Sequence, residues 1–463
     1  MASPRRRARA PRAVPDVAGA TPRKVHRIVV VGGGAGGLPL ATALGDKLGD
    51  RSKGRADVTL VDRFETHLWK PLLHEIAAGR MDADAHDVDY LALGFWHHFR
   101  FRQGSLVALD RMQRKLTLGA VNDDEGKLML PERDLMYDTL ILCVGSTTND
   151  FGVPGVAENA ISLDTAIDAG RFHRRLLAAC VRADDDAAQG KLAHVDIVII
   201  GAGATGVELA AEIRQTTRAH VGYGLDNLDP AKDIRLALLE AAPRILPQLG
   251  DHIAQAATEL LAKLDVSVRA AERVTAVDAR GVHTAGGGFL PADLVVWAAG
   301  IQAPAILATL DGLEVNRLHQ LVVTQTLQTT RDPDIFAFGD CAACPWPAAG
   351  KEGRVVPPRA QAAHQQAMLL CRSMLARLAG KPLPTFRFRD FGSLVSLGEL
   401  SAIGNLMGTL IGGSMFIQGL IARWMYAALY KMHQLSIHGY VRVAFDTVGR
   451  FLRRRMEPRV KLH

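Results

Sequence analysis

One glycine pattern occurs twice in this chain, and it constrains the fold more than any other feature. Each copy ends a β-branched apolar run and opens an Ala/Leu-rich helical stretch. The first, in VHRIVVVGGGAGGLPLATAL, sets Gly32, Gly34 and Gly37 after the run from Ile28 to Val31. A second apolar run, Val58 to Val61, then ends in Asp62. Strand, glycine turn, helix and strand with a terminal acid form the βαβ unit that binds a dinucleotide. The first glycine makes the tight turn, the second lets the backbone approach a pyrophosphate, and the third packs helix on strand. The helix N-terminus offers unpaired N–H groups and partial positive charge to phosphates. Asp62 stands where a carboxylate accepts hydrogen bonds from ribose hydroxyls.

In the second copy VDIVII leads into Gly201, Gly203 and Gly206, the helical stretch VELAAEIRQ follows, and the run IRLALLE ends at Glu240. The interval from Gly206 to Glu240 is long for such a unit, so residues 216–233 either insert a loop or extend the helix. An acid at 240 favours a free 2′-hydroxyl and repels a 2′-phosphate, which predicts NADH rather than NADPH. Arg244 is near enough in sequence to soften that preference. Two dinucleotide folds imply two dinucleotides, most economically one tightly held flavin and one exchangeable nicotinamide.

A length of 463 residues suggests about three domain-sized units. With 48% apolar and 22% charged residues the chain is not mainly disordered. No other self-similar period of 20–50 residues is evident. Five irregularly spaced cysteines make no disulfide framework and fit a reducing compartment. The net charge of +7 is uneven: residues 1–27 carry +7, residues 423–463 carry +7, and the remainder carries −7. A mildly acidic body with two basic ends is no uniform nucleic-acid binder. Basic ends suit an anionic membrane surface or another polyanion. Residues 1–24, rich in Ala, Pro and Arg, read as a disordered basic tail without the apolar core of a secretory signal. A mitochondrial presequence is the other reading.

With these motifs the chain resembles the two-dinucleotide-domain flavoproteins and, within them, the type II NADH:quinone oxidoreductases. Further segments carry the likeness in the same order: TTRDPDIFAFGD ending in Asp340, DTLILCVGSTTN with Gly145, and LVVWAAGI ending near Gly300. The resemblance implies an α/β fold of two Rossmann-like domains in a glutathione-reductase-like arrangement. FAD would sit non-covalently on residues 25–150 and 320–398, through Gly32, Gly34, Gly37, Asp62, Gly145 and Asp340. NADH would sit on the inserted residues 151–319, through Gly201, Gly203, Gly206, Glu240 and Gly300. In WKPLLHEIAAG, Lys70 is expected near the flavin ring, while His74 and Glu75 are pocket or core residues. The stretch PPRAQAAHQQA resembles the AQxAxQ signature, which implies Gln361 and Gln365 beside a quinone. Glu208 matches a family glutamate near the flavin; it either relays protons or only steadies its helix. Lys431 is a candidate at the quinone entrance. The expected activity is hydride transfer from NADH to FAD and two electrons onward to a membrane quinone, without proton pumping. Sulfide:quinone oxidoreduction is the rival, and a flavin-dependent redox sensor or scaffold is another. A dithiol reductase is excluded by the missing cysteine pair. Cys341 and Cys344 fit neither dithiol type and are structural, redox-active or metal-linked.

Residues 400–422 carry no charge, but five glycines and Asn405 interrupt them, so strand and turn are expected rather than a span. GLIARWMYAALYKMHQL reads as a helix with a thin polar stripe through Arg423, Tyr430 and Gln434. GYVRVAFDTVGRFLRRR gathers Val441, Ala444, Phe445, Val448 and Leu452 on one face, with Arg442, Asp446, Arg450 and Arg453 on the other. Residues 399–463 are therefore expected to lie on a lipid surface as an amphipathic anchor. The same faces would serve a dimer or core packing, and a homodimer is the expected assembly. The favoured location is peripheral, on the cytoplasmic face of the inner membrane.

Overall fold

The computed structural model describes residues 25–49, 54–83, 86–347, 353–397, 402–408 and 413–453. The expected basic tail over 1–24 lies outside the described residues, as do the last ten. Two five-stranded parallel sheets organise the rest. In the first, strand Ile335–Ala337 neighbours Thr139–Leu142, then His26–Val31, Ala56–Asp62 and Arg100–Gln103. In the second, Ala160–Ser162 neighbours Leu294–Trp297, then Val195–Ile200, Ile234–Leu239 and Val266–Arg269. The strand feeding each glycine loop is central in its sheet. Both faces of a central parallel strand are covered, hence the continuous apolar runs Ile28 to Val31 and Ile197 to Ile200, all buried.

The duplication goes further than the glycines. In each unit the outer parallel strand is followed by a three-stranded antiparallel meander. One comprises Leu106–Asp110, Lys115–Leu118 and Arg133–Met136; the other comprises Val274–Asp278, Gly281–Thr284 and Phe289–Pro291. The chain then returns to the sheet beside the motif strand. Where it passes between the units it crosses itself: Thr147–Thr148 pairs antiparallel with Ile301–Gln302. Gly145 and Gly300 lie next to these two crossings. The long interval before Glu240 is a helix extended to Val221 followed by an irregular loop over 222–233 before strand Ile234–Leu239.

Beyond helix Ala360–Leu378, three antiparallel strands, Gly392–Ser396, Ala402–Gly408 and Gly413–Gln418, occupy the uncharged region. The C-terminal helix Leu420–Arg453 is two helices joined at Gly439, whose φ of 72° and ψ of 171° break the helical path. Among the described residues no helix is long and apolar enough to cross a membrane. Two residues of the expected polar stripe turn inward: Gln434 is buried, together with His433 and Ile437, and Tyr430 stacks on Trp69 at 5.3 Å. Leu429 and Met432 are left exposed.

The third glycine of each loop is sterically obligatory. A Cβ on Gly37 would lie 1.8 Å from the Gly32 carbonyl oxygen, and one on Gly206 would lie 2.0 Å from that of Gly201. A Cβ on Gly34 or Gly203 meets nothing within 4 Å. Gly206→Ala should therefore cost more than about 2 kcal/mol, and Gly203→Ala no more than about 1 kcal/mol, when urea unfolding of the two variants is compared.

Candidate active site

Both glycine loops leave the carboxyl ends of their sheets, where open α/β folds bind ligands. They are built alike. Gly32, at φ 110°, donates its N–H to the Val61 carbonyl, and Gly201, at φ 101°, donates to that of Leu239, both at 2.8 Å. The next amide is held by the acid ending the neighbouring strand: Gly33 donates to Asp62 Oδ2 at 2.6 Å, and Ala202 donates to Glu240 Oε2 at 2.9 Å. The other oxygen of each acid accepts a local amide, from Phe64 or Ala242. Each carboxylate thus shapes its own loop. Arg244 is turned to the carbonyls of Leu246 and Pro247 and to Asp251, so it does not stand against Glu240 as a phosphate-binding cation.

Around the first loop the chain gathers residues remote in sequence. Ser146 Oγ donates to Asp340 Oδ2 at 3.0 Å. Lys70 Nζ donates to the Ser146 carbonyl at 2.9 Å and to Asp164 Oδ1 at 3.2 Å. Burial raises the Asp62 and Asp340 carboxyls above the usual range, with local hydrogen bonds opposing the rise. Gln366, which the sequence reading passed over beside Gln361 and Gln365, is buried and accepts the Gly339 amide at 2.8 Å, fixing the turn that presents Asp340. Its signal was only its place one residue beyond the recognised motif.

Gln361 and Gln365 share a helix face, and their amides are already engaged. Gln365 exchanges two hydrogen bonds with the Arg389 backbone, at 2.9 and 3.1 Å, as a strand partner would. Gln361 donates to the Gly392 carbonyl at 2.9 Å and accepts from the Phe391 amide at 3.2 Å. In this structure they hold segment 389–392, which leads into the C-terminal strands.

Glu208 is at the seam between the two units. It is buried, accepts the Ser396 amide at 2.9 Å, and has Oε2 3.5 Å from His74 Nδ1. Burial lifts its carboxyl to about 8, and the nearby charges of Glu75 and Glu212 push the same way. Burial takes His74 down to about 4. Near neutrality the pair is therefore an acid beside a neutral imidazole, not an ion pair. His74, which the sequence left open as pocket or core, is fully packed, and its Nε2 finds no hydrogen-bond partner among the described residues. Next to it Arg80 pairs with the buried Glu212 at 3.0 Å.

The C-terminal helix reaches the first loop through two histidines. His67 Nδ1 donates to the Gly33 carbonyl at 2.8 Å, so its Nε2 accepts the 2.8 Å bond from His433 Nε2. Trp69 lies against both His433 and Tyr430. Lys431 is on the same helix and donates to Gln434 at 2.9 Å. The five cysteines are buried and free. Burial lifts the thiols of Cys341 and Cys344 to about 12, which makes them poor nucleophiles.

The family model of the pyridine nucleotide-disulphide oxidoreductases matches residues 26–367. The chain is 41% identical over 451 residues to the type II NADH:quinone oxidoreductase of Haemophilus influenzae, covering 95% of this chain and 100% of that protein. It is 28% identical over 431 residues to the type II NADH:quinone oxidoreductase NdhA of Mycobacterium tuberculosis, covering 90% and 84%. Among solved structures, NDH2 from Plasmodium falciparum in complex with NADH superposes with a TM-score of 0.78 at 18% identity, over 95% of this chain and 100% of that one. The sulfide:quinone oxidoreductase of Aquifex aeolicus gives 0.68 at 18% identity, over 91% and 94%. Those two structures speak for the fold, whereas an identity of 41% along nearly the whole of both chains speaks for the family. The protein belongs to the type II NADH:quinone oxidoreductases, a branch of the pyridine nucleotide-disulphide oxidoreductases.

Proposed function

We propose that this NADH:quinone oxidoreductase holds FAD non-covalently on its first glycine loop and NADH on its second, and passes two electrons to a membrane quinone. The observation that carries the reading is the matched pair of loops. In each, the second glycine faces open space where a Cβ would meet nothing, as close approach of a pyrophosphate requires. Gly32, Gly34, Gly37, Asp62, Lys70, Gly145 and Asp340 would hold FAD. Gly201, Gly203, Gly206, Glu240 and Gly300 would hold NADH. When bound, FAD supplies a two-electron relay that accepts hydride from a nicotinamide and reduces a quinone.

The chain's own residues supply position and protons. Glu240, with Arg244 turned aside, selects the free 2′-hydroxyl of NADH. Quinone reduction consumes two protons, one from NADH and one from solvent, and Glu208 holds a proton at neutral pH inside the seam. His74 keeps that carboxyl in a dry, neutral setting. Gln361 and Gln365 act first by positioning segment 389–392, whose backbone continues to Ser396 at Glu208. Lys431 stands on the helix that reaches the first loop. The sulfide-dependent rival needs reactive thiols, and buried thiols of raised pKa count against it.

The chain would work on the lipid surface, on the cytoplasmic face of the inner membrane where NADH is available, and as a homodimer. Support for surface attachment is the exposure of Leu429, Met432, Phe445 and Val448 on the C-terminal helix while its His433 and Gln434 are buried.

Anaerobic stopped-flow mixing tests the reading directly. NADH should bleach the flavin band within the time of one turnover, and a short-chain quinone should restore it; bleaching without recovery would move the acceptor elsewhere. Replacing Glu240 by Gln together with Ala242→Arg should lower kcat/KM for NADH by about tenfold or more and raise it for NADPH. A carboxyl whose pKa rises from 4.5 unfolded to about 8 folded binds its proton more tightly in the native chain. Glu208 therefore makes stability fall as pH rises from about 4.5 to about 8, with a slope of up to about 1.4 kcal/mol per pH unit. Urea unfolding between pH 5 and 8.5 should show that slope in the wild type and its loss in Glu208→Gln. The same variant should slow recovery with quinone by about 10²-fold while leaving NADH bleaching intact.

A further inference from the structure

The short helix Tyr90–Trp96 has no role in the chemistry above, yet it is shaped unlike an ordinary surface helix. Asp89 caps it by accepting the Ala92 amide at 2.7 Å. Tyr90 and Leu93 are buried, and the Tyr90 hydroxyl donates to the Gly33 carbonyl at 2.9 Å. Three of the remaining residues are large, apolar and turned to solvent: Leu91 and Phe95 are each 64% exposed, and Trp96 is 57% exposed. Phe95 and Trp96 pack edge to face at 5.2 Å, so they form one knob. Isolated apolar side chains on a surface are ordinary, but a cluster of this kind marks a contact.

Its neighbour says with what. The Arg442 guanidinium lies 5.0 Å over the Trp96 ring, joining the knob to the second half of the C-terminal helix. On that half Phe445 is 76% and Val448 59% exposed, while Val443 packs inward. The knob thus meets the second half of that helix through Arg442, at the border between its arginine face and the exposed Phe445 and Val448. It adjoins the segment that concentrates positive charge, +7 over residues 423–463. Tryptophan beside arginine at the edge of an apolar face is the composition of a headgroup boundary.

We propose that helix Tyr90–Trp96 is a second membrane-inserting element, placing Leu91, Phe95 and Trp96 at the acyl boundary of an anionic bilayer beside the C-terminal helix. This rests on the membrane-surface reading above and extends it to the first dinucleotide unit. The anchor then has two roots in the same place: Tyr90 on one helix and His433, through His67, on the other, both ending on the Gly33 carbonyl. The first glycine loop is held at a set height over the lipid by two elements far apart in sequence.

The test uses the full chain and vesicles of phosphatidylglycerol and phosphatidylethanolamine. The triple variant Leu91→Ser, Phe95→Ser, Trp96→Ser should lose at least about tenfold in vesicle partitioning while reducing a water-soluble quinone at the wild-type rate. Vesicles with brominated acyl chains should quench wild-type tryptophan fluorescence, and Trp96→Phe should lose a measurable part of that quenching. Unchanged partitioning together with unchanged quenching in Trp96→Phe overturns the inference. If deleting residues 437–463 abolishes binding in that case, the membrane reading survives without this element. Failure of the wild type to bind vesicles at all removes both. If the triple variant turns a dimer into a monomer with partitioning unchanged, the knob faces a second copy and the inference falls.

Discussion

Two hydrogen bonds to strand-end acids hold the paired glycine loops in shape. Asp62 accepts the Gly33 amide, and Glu240 accepts the Ala202 amide, each from the end of the strand beside the motif strand. An acid at a strand end can clamp the loop and still keep acceptor capacity free, because a carboxylate offers about four acceptor sites. The clamp works only if helix and strand approach closely, which the bare faces of Gly37 and Gly206 permit. Everything that converges on the first loop depends on that approach. The Cys143 thiol donates to the Gly32 carbonyl, and the Tyr90 hydroxyl and His67 ring both donate to the Gly33 carbonyl.

The seam between the units follows a different logic. Its central groups are costly to bury, and they are buried as neutral species where they lack a counter-charge. Desolvation favours the protonated form of Glu208 and the neutral form of His74, so the pair needs no ion-pair energy to persist. Arg80 and Glu212, next to them, take the other solution and pair their charges. A seam assembled from such groups has one site, Glu208, whose protonation changes near physiological pH.

The C-terminal helix shows how burial, and not composition, decides which face is which. Read by residue type, its first half is apolar nearly all round with a thin polar stripe. In the fold Tyr430 and Gln434 turn to the inner side, where Tyr430 and the neighbouring His433 find Trp69 and His67. Leu429 and Met432 consequently point outward. Gly439 separates this half from the next and lets each half follow its own surface.

Much of the α/β fold was legible, since β-branched runs, glycine spacing and terminal acids are local signals with one physical reading each. Both glycine loops, their acids, the strand-and-turn character after residue 391 and the two-part C-terminal helix needed only neighbours within a few dozen residues. The repeated meanders were not legible, because Leu106–Met136 and Val274–Pro291 share topology without sequence likeness, and strand pairing is a long-range choice. Nor was the engagement of Gln361 and Gln365 with segment 389–392, the role of Gln366, the turning aside of Arg244, or the meeting of Trp96 with Arg442. The sequence by itself determined where the two glycine turns and their acids stand, because such a turn depends on its own backbone and the residues adjoining it. Only the tertiary structure decided which titratable groups are dry, which amides are already engaged, and which apolar faces remain uncovered, because desolvation and contact are properties of what the rest of the chain brings alongside.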